Sequence, residues 1–177
     1  MPKLQPADRD AFLNEPGFMM DIATLDAEGG PLVTPIWFIH EDGRIWFTPR
    51  QHSEWLKNIR NDPRVALCID ETVIPYRKVI VRGKAVVVHE VGNDDEWRDR
   101  YRRIAGRYIP ADDANAYVDG TDDQPRALCA LTLDEANVRT WRMPVGDEPY
   151  QGIWAKRYWT EDAKVKQDSP DVFDKSV

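Results

Sequence analysis

The sequence predicts a mainly β protein, an antiparallel barrel of about six or seven strands with a few short helices between them. Three features carry the expectation. Short apolar runs recur at hairpin spacing, turn-rich stretches such as DAEGG and EDGR separate them, and the strand–helix–strand rhythm of a parallel sheet is missing. The chain has 177 residues, enough for one domain. Residues 1–160 read as that domain, and the polar, charged stretch 161–177 reads as a disordered tail.

The elements follow in order. Pro6 to Glu15 reads as a short helix, with Asp8 and Asp10 early and Phe12 and Leu13 as its apolar face. FMMDIATL is the first strand. PLVTPIWFIH is the second, and Pro31 and Pro35 assign it to an edge, a strand start or a bulge, because proline donates no ladder hydrogen bond. Asp42-Gly43 turns it into IWFTP as a hairpin. Ser53 stands where an N-cap belongs, Trp55, Leu56 and Ile59 give helical apolar spacing, and Pro63 forbids continuation. RVALCID reads as a buried strand and KVIVRGKAVVVHE as one long strand, with Gly83 marking a bulge or sharp bend. Asn93 or Asp94 is expected to cap a charged helix running to Ile104 and ended by Gly106. Residues 110–125 read as a loop with a helical turn at DANAYV, before the final strands RALCALTL and NVRTW. Beyond Trp141 the chain is interrupted by Pro and Gly yet aromatic, with Tyr150, Trp154, Tyr158 and Trp159.

Composition narrows the function. A net charge of −7 disfavours nucleic acid and anionic membrane surfaces, though a local basic cluster can still bind a small anion. No apolar run reaches bilayer length and no leader pattern is present, so the expectation is a cytoplasmic protein without membrane contact. Cys68 and Cys129 sit in strand-like runs without ligand-spaced neighbours, and His40, His52 and His89 lack any helical or hairpin spacing that would make a metal site, so none is expected and the cysteines read as buried free thiols. The seven tryptophans suggest an interface or a flat ligand, with core filling the better account of any single one. No dinucleotide, Walker, zinc-protease or nucleophile-elbow motif appears, and no catalytic residue is assigned.

One segment carries binding chemistry. In FTPRQHSEWLKNIR, Thr48, Arg50, Ser53, Lys57 and Arg60 lie between a strand end and the first turns of a helix. Free N–H groups at a helix start, two cations and two hydroxyls would suit a phosphate. Each residue also has a plain structural role, Ser53 as a cap and Lys57 and Arg60 as solvated helix charges.

The hairpin VTPIWFIHEDGRIWFTP, the helix and strand KNIRNDPRVALCID, and KVIVRGKAVVV resemble, in that order, the FMN-binding split-barrel superfamily. That superfamily includes pyridoxamine-phosphate oxidases and the flavin/deazaflavin oxidoreductases. NVRTW followed by GIWAKRYW is similar to the close of an actinobacterial-type branch. The resemblance implies a split β-barrel working as a homodimer, with a flavin in each of two interface grooves. Thr34, Pro35, Ile36 and Trp37 would flank the isoalloxazine, while Thr48, Arg50, Ser53 and Lys57 would face the ribityl phosphate. Trp141 and the aromatic tail would approach from the partner chain. Trp55 stands where many relatives carry a lysine, which shifts phosphate affinity onto Lys57 and Arg50 and leaves a flat face able to stack on a ring system. Pyridoxamine-phosphate oxidases close with an Arg-x-His-type element. Here RMPVGDEPYQG follows Trp141 with no histidine after it, so that activity is not expected. The implied function is FMN-dependent transfer of hydride or electrons between a reduced nicotinamide and a small organic acceptor. The alternatives are an F420-dependent reductase in the same groove, or a flavin- or haem-binding carrier, sensor or stress protein without turnover. The fold is common to all three.

Overall fold

Burial alternates along most strands, and this decides which faces meet. In β5 (Arg64–Asp70) Val65, Leu67 and Ile69 are buried while Ala66 and Cys68 are half-exposed. The computed structural model describes residues 2–92 and 94–148. Among them are helices α1 (Pro6–Asn14), α2 (Glu54–Asn61), α3 (Arg98–Gly106) and α4 (Ala111–Asp119). The strands, besides β5, are β1 (Met20–Leu25), β2 (Pro31–Ile36), β3 (Ile39–Glu41), β4 (Arg44–Phe47), β6 (Arg77–Lys84), β7 (Val86–His89), β8 (Leu128–Thr132) and β9 (Val138–Arg142). All pairings are antiparallel, in a five-stranded sheet ordered β2-β1-β5-β6-β9 and a four-stranded sheet ordered β3-β4-β8-β7.

Nine strands are present among the described residues where six or seven were expected, because two long apolar runs each cross from one sheet to the other. PLVTPIWFIH breaks at Trp37 and Phe38. The Tyr108 hydroxyl pins this corner, accepting from the Phe38 N–H at 3.1 Å and donating to the Phe18 carbonyl at 2.8 Å. KVIVRGKAVVVHE breaks at Ala85, whose N–H donates to the Pro63 carbonyl. Gly83 is therefore not the bend. It stays in register opposite Val65, and a Cβ there would lie 2.8 Å from Leu131 Cδ1, so glycine serves the close approach of β6 and β8.

The main core lies between the sheets and includes Phe12, Leu13, Ile22, Phe38, Phe47 and Leu67. A second core joins α3 and α4 to the four-stranded sheet through Trp46, Tyr101, Ile104, Val118, Leu128 and Ala130. Strand β8 contributes Cys129 and Leu131 to the first core and Leu128 and Ala130 to the second, which is why its sequence is continuously apolar.

Three local expectations are revised. DANAYV is part of a full helix, α4, which buries Ala114 and Val118 one turn apart. Ser53 occupies the N-cap position of α2, but its hydroxyl donates to the Arg50 carbonyl at 2.7 Å rather than accepting from the helix. Asp94 does not cap α3, whose N-cap position is Trp97. Its carboxylate accepts the Arg126 N–H at 2.9 Å instead. Asn93, the tail 161–177, and Tyr150, Trp154, Tyr158 and Trp159 lie outside the described residues.

The outer face of the five-stranded sheet is only partly polar. Pairing register aligns Val33 with Ala23, Ala66 and Arg82, and Pro35 with Asp21, Cys68 and Ile80. Val33 is 59% exposed. Among the described residues no helix is long and apolar enough to cross a membrane, and no acidic, histidine or cysteine cluster suits a metal ion.

Candidate functional site

The segment after β4 is held by β8 and by the helix pair. Thr48 and Pro49 are buried, and the Ala127 N–H donates to the Pro49 carbonyl. Arg50 bridges the Arg126 backbone in antiparallel fashion. The Arg126 guanidinium turns inward, donating from Nη1 to the Thr48 carbonyl at 2.9 Å and from Nη2 to the Tyr117 hydroxyl at 3.2 Å. Exposed Arg50 reaches the same hydroxyl from Nη2 at 3.4 Å. Two guanidinium groups thus converge on one phenol oxygen.

Trp37 walls this cluster. Its ring stacks on Tyr108 at 4.9 Å with planes 6° apart, and meets Tyr117 edge-on at 5.7 Å. Trp37, Arg50 and Thr48 are therefore brought together through Tyr117 and Arg126. On α2, Trp55 leans on Phe47 with ring centroids 6.0 Å apart, and Lys57 is exposed. Arg60, exposed three residues on, pairs with Glu90. Within β2, Thr34 and Ile36 are half-buried on the core side and Pro35 is exposed on the outer side. Trp141 lies in β9, at the opposite edge of the five-stranded sheet from β2, with Lys78 Nζ 5.6 Å from its ring centroid.

Tyr101, Tyr108, Tyr117 and Arg126 were not singled out from the sequence. No linear spacing joins Arg126 to Arg50; the β4–β8 pairing does. The available signal was an arginine opening an otherwise apolar strand run, RALCALTL, where a charge needs a reason to be buried.

Electrostatics follow the crowding. Burial lowers the pKa of Arg126, and the nearby Arg50 charge acts in the same direction. Burial acts to raise Tyr117, but the neighbouring Tyr101 hydroxyl, Arg50 and the Arg126 charge outweigh it and leave the phenol more acidic than usual. Burial pushes Tyr101 in the opposite direction, holding it protonated. A cavity of about 10 Å³ is lined by Asp94, Trp97, Tyr101, Val118, Thr121 and Arg126 among others. It has the size of a single water and is a packing void under the helices, too small for a cofactor.

A family model described as pyridoxamine 5'-phosphate oxidase matches residues 6–140. A conserved hypothetical protein from Mycobacterium tuberculosis is similar in structure, 22% identical over 82% of this chain and 92% of that one, with a TM-score of 0.64. An F420 reductase is 24% identical, covering 73% of this chain and 91% of that one, with a TM-score of 0.50. An FAD- and haem-binding protein from Mycobacterium smegmatis is 17% identical over 85% of this chain and 78% of that one, with a TM-score of 0.56. A search of curated proteins returns no significant match. At these identities the structural likeness is one of fold, while the family match spans well over half the sequence. The chain belongs to the pyridoxamine 5'-phosphate oxidase family.

Proposed function

We propose that the protein is an FMN-dependent oxidoreductase, working as a homodimer, that passes hydride or electrons between a reduced nicotinamide and a small organic acceptor. The observation that carries this reading is the convergence of cations and hydroxyls beside an aromatic wall. Arg50 and Arg126 meet at Tyr117, which in turn touches the Trp37–Tyr108 stack. A phosphorylated, flat cofactor needs this combination, charge-assisted donors at one end and apolar ring faces at the other. Thr48, Ser53 and Lys57 border the same segment. Family membership and the fold shared with an F420 reductase and with an FAD- and haem-binding protein support a ligand of this general class.

When bound, FMN supplies the electron-carrying ring. The chain's own residues hold the phosphate, orient the ring and exclude water. The dimer reading rests on the apolar patch formed by Val33, Ala23, Ala66, Cys68 and Ile80 on the five-stranded sheet. Trp141 pairs with Lys78, two residues along β6 from Ile80, so it belongs to that same face and would reach the partner's groove when two sheets meet. The lack of any histidine after Trp141 argues against pyridoxamine-phosphate oxidase activity despite the family. Two free cysteines suit a reducing, cytoplasmic compartment.

The test is the absorption and fluorescence of the purified protein titrated with FMN, F420 and haemin, followed by NADH and NADPH consumption with the bound flavin. Saturable quenching of FMN fluorescence is expected. Tight binding of F420 or haemin together with no binding of FMN would overturn the cofactor assignment.

A further inference from the structure

A buried polar atom without a partner is costly, so where several meet they point to what they bind. Among the described residues Asp94 Oδ1, Trp97 Nε1 and Arg126 Nε are buried with no hydrogen-bond partner. They come from separate stretches of chain: a short turn ahead of α3, the N-cap position of α3, and the approach to β8. Yet all three residues line one cavity of about 10 Å³, with Val118 of α4 and Thr121 just beyond it. Trp97 is 5% exposed and Arg126 8%, so bulk water does not serve these atoms.

The other polar groups around the cavity are already committed. Thr121 donates from Oγ1 to the Tyr117 carbonyl at 3.0 Å, and the Tyr101 hydroxyl engages Tyr117 and Thr121. Arg126 uses Nη1 on the Thr48 carbonyl and Nη2 on the Tyr117 hydroxyl, with its guanidinium carbon 4.7 Å from the Tyr101 ring centroid. Its Nε–H remains. Asp94 uses Oδ2 to accept the Arg126 backbone N–H at 2.9 Å, and its other oxygen remains. Burial lowers the Arg126 pKa, and Asp94 is among the charges that oppose that shift. What is left is two N–H donors and one carboxylate oxygen.

That set selects the occupant. The space is that of one water, which needs about 10–15 Å³ and two to four polar partners. A halide would accept from both N–H groups, but it brings no proton to Asp94 and meets its negative charge. A metal cation would suit Asp94, but it would face two N–H donors and the Arg126 charge. Water accepts twice and donates at the same time.

The geometry points to a site for one resident water beneath α3, accepting from Trp97 Nε1–H and Arg126 Nε–H and donating to Asp94 Oδ1. The water makes Asp94 the counter-charge of a buried guanidinium that no carboxylate touches directly among the described residues. It also ties the start of α3 to the entrance of β8. The site is independent of the flavin reading and holds whether or not a cofactor binds.

Nuclear magnetic resonance of the full wild-type chain, with no ligand added, provides the test. Trp97 Nε1–H and Arg126 Nε–H should each show a rotating-frame cross-relaxation peak at the water frequency, with the sign of a direct contact. Trp46 is the control: its buried Nε1–H donates to the Glu41 carbonyl at 3.1 Å and should show no such peak. A missing peak at either Trp97 or Arg126 would overturn the bridge. Oxygen-17 relaxation dispersion then counts long-lived waters. Asp94→Asn keeps an oxygen for the Arg126 N–H but turns an N–H toward the cavity, so the count should fall by about one per chain. An unchanged count in a folded Asp94→Asn would sink the proposal; should that variant fail to fold, the two wild-type peaks decide alone. Crystals grown in bromide supply the last arm, and an anomalous peak in the cavity would assign it to a halide and overturn the water.

Discussion

Removing one oxygen from Tyr108 tests how the site's aromatic wall is held. The hydroxyl accepts from the Phe38 N–H and donates to the Phe18 carbonyl, at the corner where the chain passes from β2 to β3. Phe38 is fully buried, so Tyr108→Phe strands its N–H away from water, which costs about 1–3 kcal/mol. The Phe18 carbonyl, at a half-buried residue, can turn to solvent and adds little. The ring stack on Trp37 survives, since phenylalanine keeps the same face at 4.9 Å. A net loss of about 2 kcal/mol should lower the melting temperature by about 4–8 °C in a domain of this size. Urea unfolding followed by tryptophan fluorescence measures it directly, and Tyr117→Phe, at a half-exposed position, is the control and should lose less than about 1 kcal/mol. A Tyr108→Phe variant within about 0.5 kcal/mol of wild type would show that the corner is held by ring packing alone.

Other expectations reach different parts of the molecule. Ile80→Arg places a charge at the centre of the apolar sheet face and should convert a dimer to monomers in light scattering; a wild type that is already monomeric would dismiss the shared-groove arrangement. In the dimer Cys68 should resist thiol reagents, as should Cys129 in any state that keeps the fold, because burial pushes the Cys129 thiol up to about 12. His40 is held neutral chiefly by burial, with Arg9 and Arg107 acting the same way and Asp10 opposing them. Its folded pKa lies below the unfolded one, so the unfolded chain takes up the proton first and stability falls as pH drops below about 6.5; His40→Gln should flatten urea midpoints across that range. Lys57→Ala should weaken FMN by about 1.5–3 kcal/mol if Lys57 meets the phosphate, and equal affinities by titration would leave it a solvated helix charge.

The sequence was informative where local chemistry decides structure. Asp42-Gly43 made its hairpin, with both residues at positive φ, and the apolar spacing of Leu56 and Ile59 buried one face of α2. It misled where a tertiary partner decides. Nothing in PLVTPIWFIH announces that the run serves two sheets, because the break depends on a tyrosine seventy residues away in sequence, as the bond between Phe38 and Tyr108 shows. Gly83 looked like a bend and proved to be clearance for Leu131 on another strand. Likewise the strand-to-helix segment exposed Arg50 to view, whereas Arg126 and Tyr117 join it through β8 and α4, whose positions the linear spacing does not encode.

Charge shows the same separation between global and local reasoning. The net charge of −7 argued against nucleic acid, and that inference concerns the field felt at a distance. At physiological ionic strength such a field decays over about 8 Å, so the balance within one cluster decides whether a small anion is welcome. The chain spends its acids unevenly. Glu41 serves both Arg100 and Arg103, and Glu15 and Glu71 both serve Arg77, while Arg102 takes Asp99 and Asp119. Those pairs tie the helices and loops to the sheets and cancel locally. The cluster around Tyr117 receives no carboxylate on either guanidinium among the described residues. An acidic protein can therefore carry a positive site, provided its acids are committed elsewhere. Raising salt should weaken FMN more than riboflavin, since the two ligands share the ring and differ in the charge such a cluster would meet. Equal salt dependence for both would place the phosphate in water and leave the two arginines without a ligand role.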